Sequence, residues 1–140
     1  MYTALEIAKY IINKCIKLNR PVSNLQLQKI LYYVQGEYMK QNNGNSLFED
    51  DIVAWQYGPV VPEVYYNYNF YSSSDISNIQ EEVKLLPKEI SIIDPVIEEK
   101  SNLSAWRLVQ STHSEIPWKE TYEEGRQKVI SKKCLRKCFA

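Results

Sequence analysis

The chain offers few residues that could perform catalysis near neutral pH. His113 is the only histidine among 140 residues, and its imidazole is the one side chain with an ordinary pKa in that range. Acid–base catalysis would also require a nucleophile or carboxylate within hydrogen-bond reach, and Thr112, Ser114 and Glu115 are neighbours only in sequence. The sequence contains no phosphate-cradling glycine-rich loop and no nucleophile elbow. We therefore expect no enzyme, and we expect Thr112 and His113 to hydrogen-bond the start of a helix entered through Pro117.

Three cysteines, Cys15, Cys134 and Cys138, are the remaining reactive groups. The last two lie four residues apart, so a helix would place both on one face, as half of a metal site requires. A single histidine leaves the other half hard to supply, so free thiols, no metal and no cofactor are expected. No apolar run reaches the roughly 18 residues of a membrane span, and no secretory leader is visible. These features predict a cytoplasmic protein without membrane contact.

The stretch of residues 52–66, IVAWQYGPVVPEVYY, has the most constrained backbone. A proline disfavours the helical region for the preceding residue, so Gly58 and Val61 should be extended. Pro62 is suited to the first position of a helix, where a missing N–H costs nothing. Trp55 and the Gly58-Pro59 turn are assigned structural roles, with Trp55 in the core. For three tyrosines, packing and partner binding are equally supported: Tyr57, Tyr65 and Tyr66.

Two polar residues, Gln28 and Lys29, lie between apolar positions of a predicted helix. They could contact a partner, or they could bond a carbonyl of the Gly-Pro turn. Because buried backbone groups need hydrogen-bond partners, the second role is favoured and the first stays open.

The elements that would position these residues are mainly helical. Thr3 with Glu6, and Ser23 with Gln26, form capping boxes that start helices running to about residues 19 and 40. Gly36 inside the second helix indicates a close neighbour. Further helices are predicted from residue 62, over 88–100 with a proline inside, over 104–110 and 119–124, and at the C-terminus. In the helix of residues 88–100, Pro95 requires either a kink or a helix that starts near residue 94.

Extended structure is expected around residues 47–56, as two short strands or extended segments on either side of an acidic turn at residues 49–51, and again over residues 83–87. Residues 72–82 are polar and should form an exposed, mobile loop. The length suits one domain spanning residues 1–140, with a mainly α (α+β) fold.

The net charge of zero is unevenly distributed along the chain. Residues 126–140 contain six lysines and arginines and no acid, whereas residues 1–125 contain 11 basic and 17 acidic groups. A basic tail can bind nucleic acid or an acidic partner. A final helix with a solvated basic face is the favoured interpretation.

Three motifs resemble the Panacea-domain family, which includes SocA-like antitoxins and phage-associated GepA-like proteins. They are Leu27–Tyr33 (LQKILYY), Ala54–Tyr65 (AWQYGPVVPEVY) and Thr112–Trp118 (THSEIPW), in the family's order and spacing. Gln56 stands where a lysine is frequent, and Ile30 where leucine is usual. The resemblance implies a mainly helical domain whose motif residues are structural: Trp55, Gly58, Pro59, Pro62, Thr112, His113, Pro117 and Trp118.

The resemblance also implies a function. The family provides the antitoxin of two-gene toxin–antitoxin systems and neutralises varied toxins largely by direct contact; one member delivers its toxin to a AAA+ protease. We therefore expect a cognate toxin encoded by a neighbouring gene as the partner. A nucleic-acid-binding regulator is the alternative, and an enzyme centred on His113 is the least favoured.

Overall fold

The computed structural model describes residues 1–139, which form seven α-helices and three short strands. The predicted mainly α (α+β) fold is confirmed. None of the described helices is long and apolar enough to cross a membrane. The elements are α1 (Ala4–Lys17), α2 (Asn24–Gln41), β1 (Ile52–Trp55), β2 (Gly58–Val60), α3 (Pro62–Asn67), α4 (Pro87–Lys100), α5 (Ala105–His113), α6 (Ile116–Thr121), β3 (Lys128–Ile130) and α7 (Lys132–Phe139).

Both predicted capping boxes are present at the starts of α1 and α2. The Thr3 hydroxyl accepts from the Glu6 backbone N–H at 3.1 Å, and the Glu6 carboxylate accepts from the Thr3 N–H at 2.9 Å. Ser23 and Gln26 repeat this exchange at 3.3 and 2.9 Å. Each box satisfies two N–H groups that the first turn of a helix leaves without partners, which explains why both helices begin where predicted.

Helix α2 is the central element of the domain. Residues 27–36 are all buried, and helices α1, α4, α5 and α7 pack around them. A helix covered on every side belongs to the interior of a domain. The predicted close approach at Gly36 is confirmed, because a Cβ atom there would collide with the ring of Phe139 on α7.

The three strands form an antiparallel sheet in the order β2-β1-β3. Val53 pairs with Val60 on one side and with Val129 on the other. Of the two segments predicted on either side of residues 49–51, residues 52–55 form strand β1, whereas Phe48 forms an isolated bridge with Tyr2 and does not join the sheet. Instead, the Gln35 side chain bonds the backbone of Leu47 at 2.9 Å and of Phe48 at 2.9 and 3.3 Å, which holds that segment against α2. Strand β3 was not predicted, because only one of its three residues is buried.

The helix predicted over residues 88–100 is confirmed as α4, which runs from Pro87 to Lys100 with Pro95 inside it. Of the two alternatives for Pro95, the later start near residue 94 is therefore wrong. The loop before it is exposed along most of its length, as predicted, but Ile76 is fully buried. The Asn13 side chain also exchanges two hydrogen bonds with the backbone of Gln80, at 2.8 and 3.1 Å. The loop is therefore anchored to α1, and its mobility stays a prediction.

Candidate functional site

The turn between β1 and β2 is held by side chains from three distant parts of the chain. Each of these side chains donates a hydrogen bond to a backbone carbonyl of the hairpin. The pairs are Lys29 Nζ to Pro59 O at 3.1 Å, His113 Nε2 to Gln56 O at 3.0 Å, and Trp118 Nε1 to Trp55 O at 2.8 Å. The turn conformation therefore depends on α2, α5 and α6 together.

Gly58 sits where these elements converge. Its φ of +108° lies in the region that favours glycine, although the residue belongs to strand β2 as the extended prediction required. A Cβ atom on Gly58 would lie 2.6 Å from Lys29 Cε and 2.7 Å from Thr112 Oγ1. Space and backbone conformation therefore both require glycine at this position.

Gln28 and Lys29 are buried, with 1% and 0% of their surfaces exposed. Gln28 Oε1 accepts from the Val61 N–H at 2.9 Å, next to Pro62, which begins α3 as predicted. Lys29 bonds the Pro59 carbonyl, as the favoured interpretation required. The possibility that Gln28 and Lys29 contact a partner directly is therefore wrong. Both side chains are buried, and their polar atoms bond the backbone of this chain. The predicted Gly-Pro turn is wrong, because Gly58 and Pro59 belong to strand β2 and the chain reverses at Gln56 and Tyr57.

Burial also changes the charge state of Lys29. Desolvation lowers the pKa of its ammonium group from 10.5 to about 7, since the charged form is disfavoured away from water. Its one hydrogen bond among the described residues goes to a neutral carbonyl, so no carboxylate offsets this cost.

Glu115 forms a second junction that was not predicted as a site. Its carboxylate accepts from the hydroxyls of Tyr32 and Tyr33, each at 2.8 Å, and from Ser111 at 3.4 Å. Burial, followed by the Glu115 charge, raises the pKa of Tyr32 above its ordinary value. A consecutive tyrosine pair in one motif and a glutamate in another were the available signals. Periodicity alone cannot show that they meet.

Thr112 and His113 were predicted to hydrogen-bond the start of α6, and this prediction is wrong, because both side chains bond other parts of the chain. Thr112 Oγ1 donates to the carbonyl of Val109 at 2.9 Å, and His113 reaches the hairpin instead. Helix α6 begins without a side-chain cap, and Pro117 is buried at its second position.

The His113 ring stacks on Trp118 with centroids 3.8 Å apart, and Trp118 stacks on Tyr122 at 4.6 Å. Burial lowers the pKa of His113, and the nearby Lys29 charge acts in the same direction, against the hydrogen bond to Gln56. Because a carbonyl only accepts, His113 Nε2 carries a proton. His113 therefore stabilises the turn between β1 and β2 by donating to the Gln56 carbonyl.

The outer side of the hairpin carries two groups of aromatic rings, which we together call the aromatic surface: Trp55 with Tyr65 and Tyr66, and Tyr57 with Trp106. Trp55 packs edge-to-face on Tyr65 with centroids 5.1 Å apart and lies 6.1 Å from Tyr66. Tyr57 lies 6.5 Å from Trp106. Exposed fractions are 50% for Tyr57, 60% for Tyr66 and 59% for Trp106. Trp55 is half-buried and is not the core residue predicted.

The basic C-terminal segment is partly neutralised. Arg126 and Lys128 lie 3.4 and 3.0 Å from the Glu123 carboxylate, and Lys132 lies 3.7 Å from that of Asp51. The helix predicted for the basic segment is confirmed only over α7, because residues 128–130 form strand β3 instead. The two cysteines of α7 are free thiols, and residues 1–139 contain no cluster of three side chains able to hold a metal ion.

A family described as "Antitoxin SocA-like, Panacea domain" matches residues 27–119, which contain all three motifs. The chain is similar to Antitoxin SocA of Caulobacter vibrioides (strain NA1000 / CB15N). The identity is 31% over 128 residues, covering 82% of this chain and 68% of that protein. No solved structure gives a significant match. These findings define the class of protein as an antitoxin of a toxin–antitoxin system. The chain belongs to the SocA-like antitoxin family and carries its Panacea domain.

Proposed function

We propose that the protein acts in the cytoplasm by binding a cognate toxin, encoded by a neighbouring gene, directly through the aromatic surface. The observation that carries this proposal is the group of large aromatic side chains left half-exposed or exposed on one side of the hairpin. Contiguous exposed aromatic area is unusual on a monomer, and tryptophan and tyrosine dominate the hot spots of protein interfaces.

The network beneath the surface supports the same proposal. Three carbonyl bonds hold the hairpin, so its rings are oriented before a partner arrives. Pre-organisation lowers the entropy cost of association, and tyrosine adds contact area while losing few rotatable bonds. The motif residues therefore act on binding through the shape of the hairpin.

Neutralisation can follow from covering a functional surface of the toxin or from delivering the toxin to a AAA+ protease. We propose occlusion, because the aromatic surface provides a toxin contact without a third protein. Under occlusion, co-expression leaves the toxin present in a stable complex. Under delivery, the toxin level falls and recovers when the protease is absent.

The test is co-expression. The neighbouring gene is expressed alone and together with this chain, and the complex is recovered on a tag. Growth arrest that co-expression relieves, with both proteins recovered together at normal toxin levels, is the expected result. A toxin that arrests growth equally with and without this chain would contradict the proposal. Recovery of nucleic acid instead, with affinity falling steeply as salt is added, would favour a nucleic-acid-binding regulator.

A further inference from the structure

A cleft of about 680 Å³ lies beside the aromatic surface. Rings of Trp55, Tyr65 and Tyr122 line it together with side chains of the loop that precedes β3. We infer that this cleft holds an extended, uncharged segment of the toxin polypeptide. The inference rests on the proposed function and adds the chemistry of the part of the partner that is recognised.

Most of the neutral polar side chains along the cleft are unused within the described chain. Asn24 is the exception, since its amide donates to the Tyr65 carbonyl and accepts from Gln28. The amide side chains of Gln56, Asn69 and Gln127, and the hydroxyls of Ser72 and Ser73, line the cleft without making a side-chain hydrogen bond among residues 1–139. An amide carries both a donor and an acceptor, as a peptide group does. Such groups beside aromatic rings can therefore bond the N–H and C=O groups of an extended chain.

The charge of the cleft favours a polypeptide over a phosphate backbone. Glu124 and Arg126 are its only charged lining residues, and their charges cancel. The Arg126 guanidinium also lies 3.4 Å from the Glu123 carboxylate. Binding to nucleic acid is dominated by cations that neutralise phosphates, and this cleft offers no such excess. An uncharged peptide segment meets no unbalanced charge there.

Trp55 provides a second, independent indication. Its Nε1–H is shielded from water and has no hydrogen-bond acceptor within the described part of the chain. A buried donor without an acceptor is rare in folded proteins, and it is costly. A main-chain carbonyl of the bound segment would accept a hydrogen bond from this donor. The rings of Tyr65 and Tyr66, which pack against Trp55, would have to move aside to admit it.

The experiment fills the cleft in one variant and the adjacent surface in another. Ser73 lines the cleft and Ser74 does not, although both are exposed and consecutive. We expect Ser73→Trp to weaken binding of the purified toxin by about a hundredfold, as the loss of one interface hot spot does, while Ser74→Trp binds normally. Equal affinity in the two variants, with melting temperatures unchanged, would overturn the inference.

A second pair of variants tests the donor. Trp55→Phe removes the indole N–H and should weaken toxin binding about five- to tenfold, as expected for one hydrogen bond. Trp106→Phe makes the same change on the aromatic surface but outside the cleft, and it should weaken binding less than Trp55→Phe does. If Trp55→Phe binds the toxin with unchanged affinity, the indole N–H makes no hydrogen bond to the bound segment. The inference that the segment's carbonyl meets this donor would then be overturned.

Overlapping synthetic peptides spanning the toxin sequence identify the segment by competition with intact toxin. At least one uncharged peptide should compete with the wild-type protein and fail to bind Ser73→Trp. Competition by duplex DNA and by no peptide would overturn the inference. Failure of the proposed function looks different, since the wild-type protein would then not bind the toxin at all.

Discussion

Two pairs of consecutive tyrosines show how differently the same residues are used in this protein. Tyr32 and Tyr33 lie inside, 1% and 6% exposed, and both hydroxyls donate to the Glu115 carboxylate. Tyr65 and Tyr66 lie on the aromatic surface, and neither hydroxyl has a hydrogen bond among residues 1–139. Tyr32, Tyr33 and Tyr65 belong to family motifs, and Tyr66 directly follows one. A motif therefore marks the framework and the surface alike, and only burial separates them.

The lysine, histidine and tryptophan that hold the hairpin also belong to the inner region, which stabilises the fold. Lys29, His113 and Trp118 point their donors at carbonyls on the inner side of the turn. Residue types usually assigned to catalysis or recognition here determine a backbone shape. The inner region should therefore respond to substitution through stability, and the outer region through binding.

The largest expected effect is on the inner side, at Gly58. Gly58→Ala should lower the free energy of unfolding by about 3 kcal/mol or more, because the new methyl group meets Lys29 and Thr112 and φ is unfavourable. Gly125→Ala is the matched control: its φ is +79°, but nothing lies within 4 Å, so about 1 kcal/mol is expected. Urea unfolding measures both. Equal losses would mean that backbone conformation alone matters at Gly58.

Lys29 should make stability depend on pH. Its pKa falls from 10.5 to about 7 on folding, so between these pH values the unfolded chain holds a proton that the folded chain lacks. Stability therefore rises with pH across this window, with a slope approaching about 1.4 kcal/mol per pH unit. Lys29→Met should flatten the slope.

The measurement of this slope is chemical unfolding at pH 7, 8 and 9. This range lies below the window in which Tyr68, whose pKa is raised to about 12 mainly by burial, acts in the opposite direction. Parallel curves for wild type and Lys29→Met would show that Lys29 stays charged in the folded state.

On the outer side, Tyr66→Ala should weaken toxin binding by about 2 kcal/mol and leave stability within about 0.5 kcal/mol. Leu86→Ala is a suitable control, because Leu86 is 63% exposed and lies away from the aromatic surface. Calorimetric titration with the toxin compares the two. If both variants bind the toxin as the wild type does, Tyr66 does not contribute to toxin binding, and the outer tyrosines differ from the inner ones only in exposure.

The smallest effect compares hydroxyls directly. Tyr32→Phe removes a donor from the half-buried Glu115 carboxylate and should cost about 1.5 kcal/mol of stability. Tyr66→Phe should change stability by less than about 0.5 kcal/mol, because its hydroxyl faces solvent. Thermal unfolding of the two variants gives the answer. Similar melting temperatures would show that the Tyr32 hydroxyl contributes no more to stability than the Tyr66 hydroxyl does.

Local signals in the sequence were sufficient for features that depend on neighbours along the chain. The capping boxes at Thr3 and Ser23, the helix start at Pro62 and the crowded position of Gly36 all followed from residue type and spacing. Strand β3 could not be found in this way, since it is stabilised by pairing with β1 across more than 70 residues.

The sequence by itself determined that the chain is mainly helical, that α1 and α2 begin at capping boxes, and that α3 begins at Pro62. Short-range sterics and hydrogen bonds are sufficient for these features. Only the tertiary structure decided that Lys29 is buried, that Glu115 joins two tyrosines and that Trp55 lies at a cleft. Burial depends on which distant segments cover a residue, and that information is carried by no single stretch of the chain.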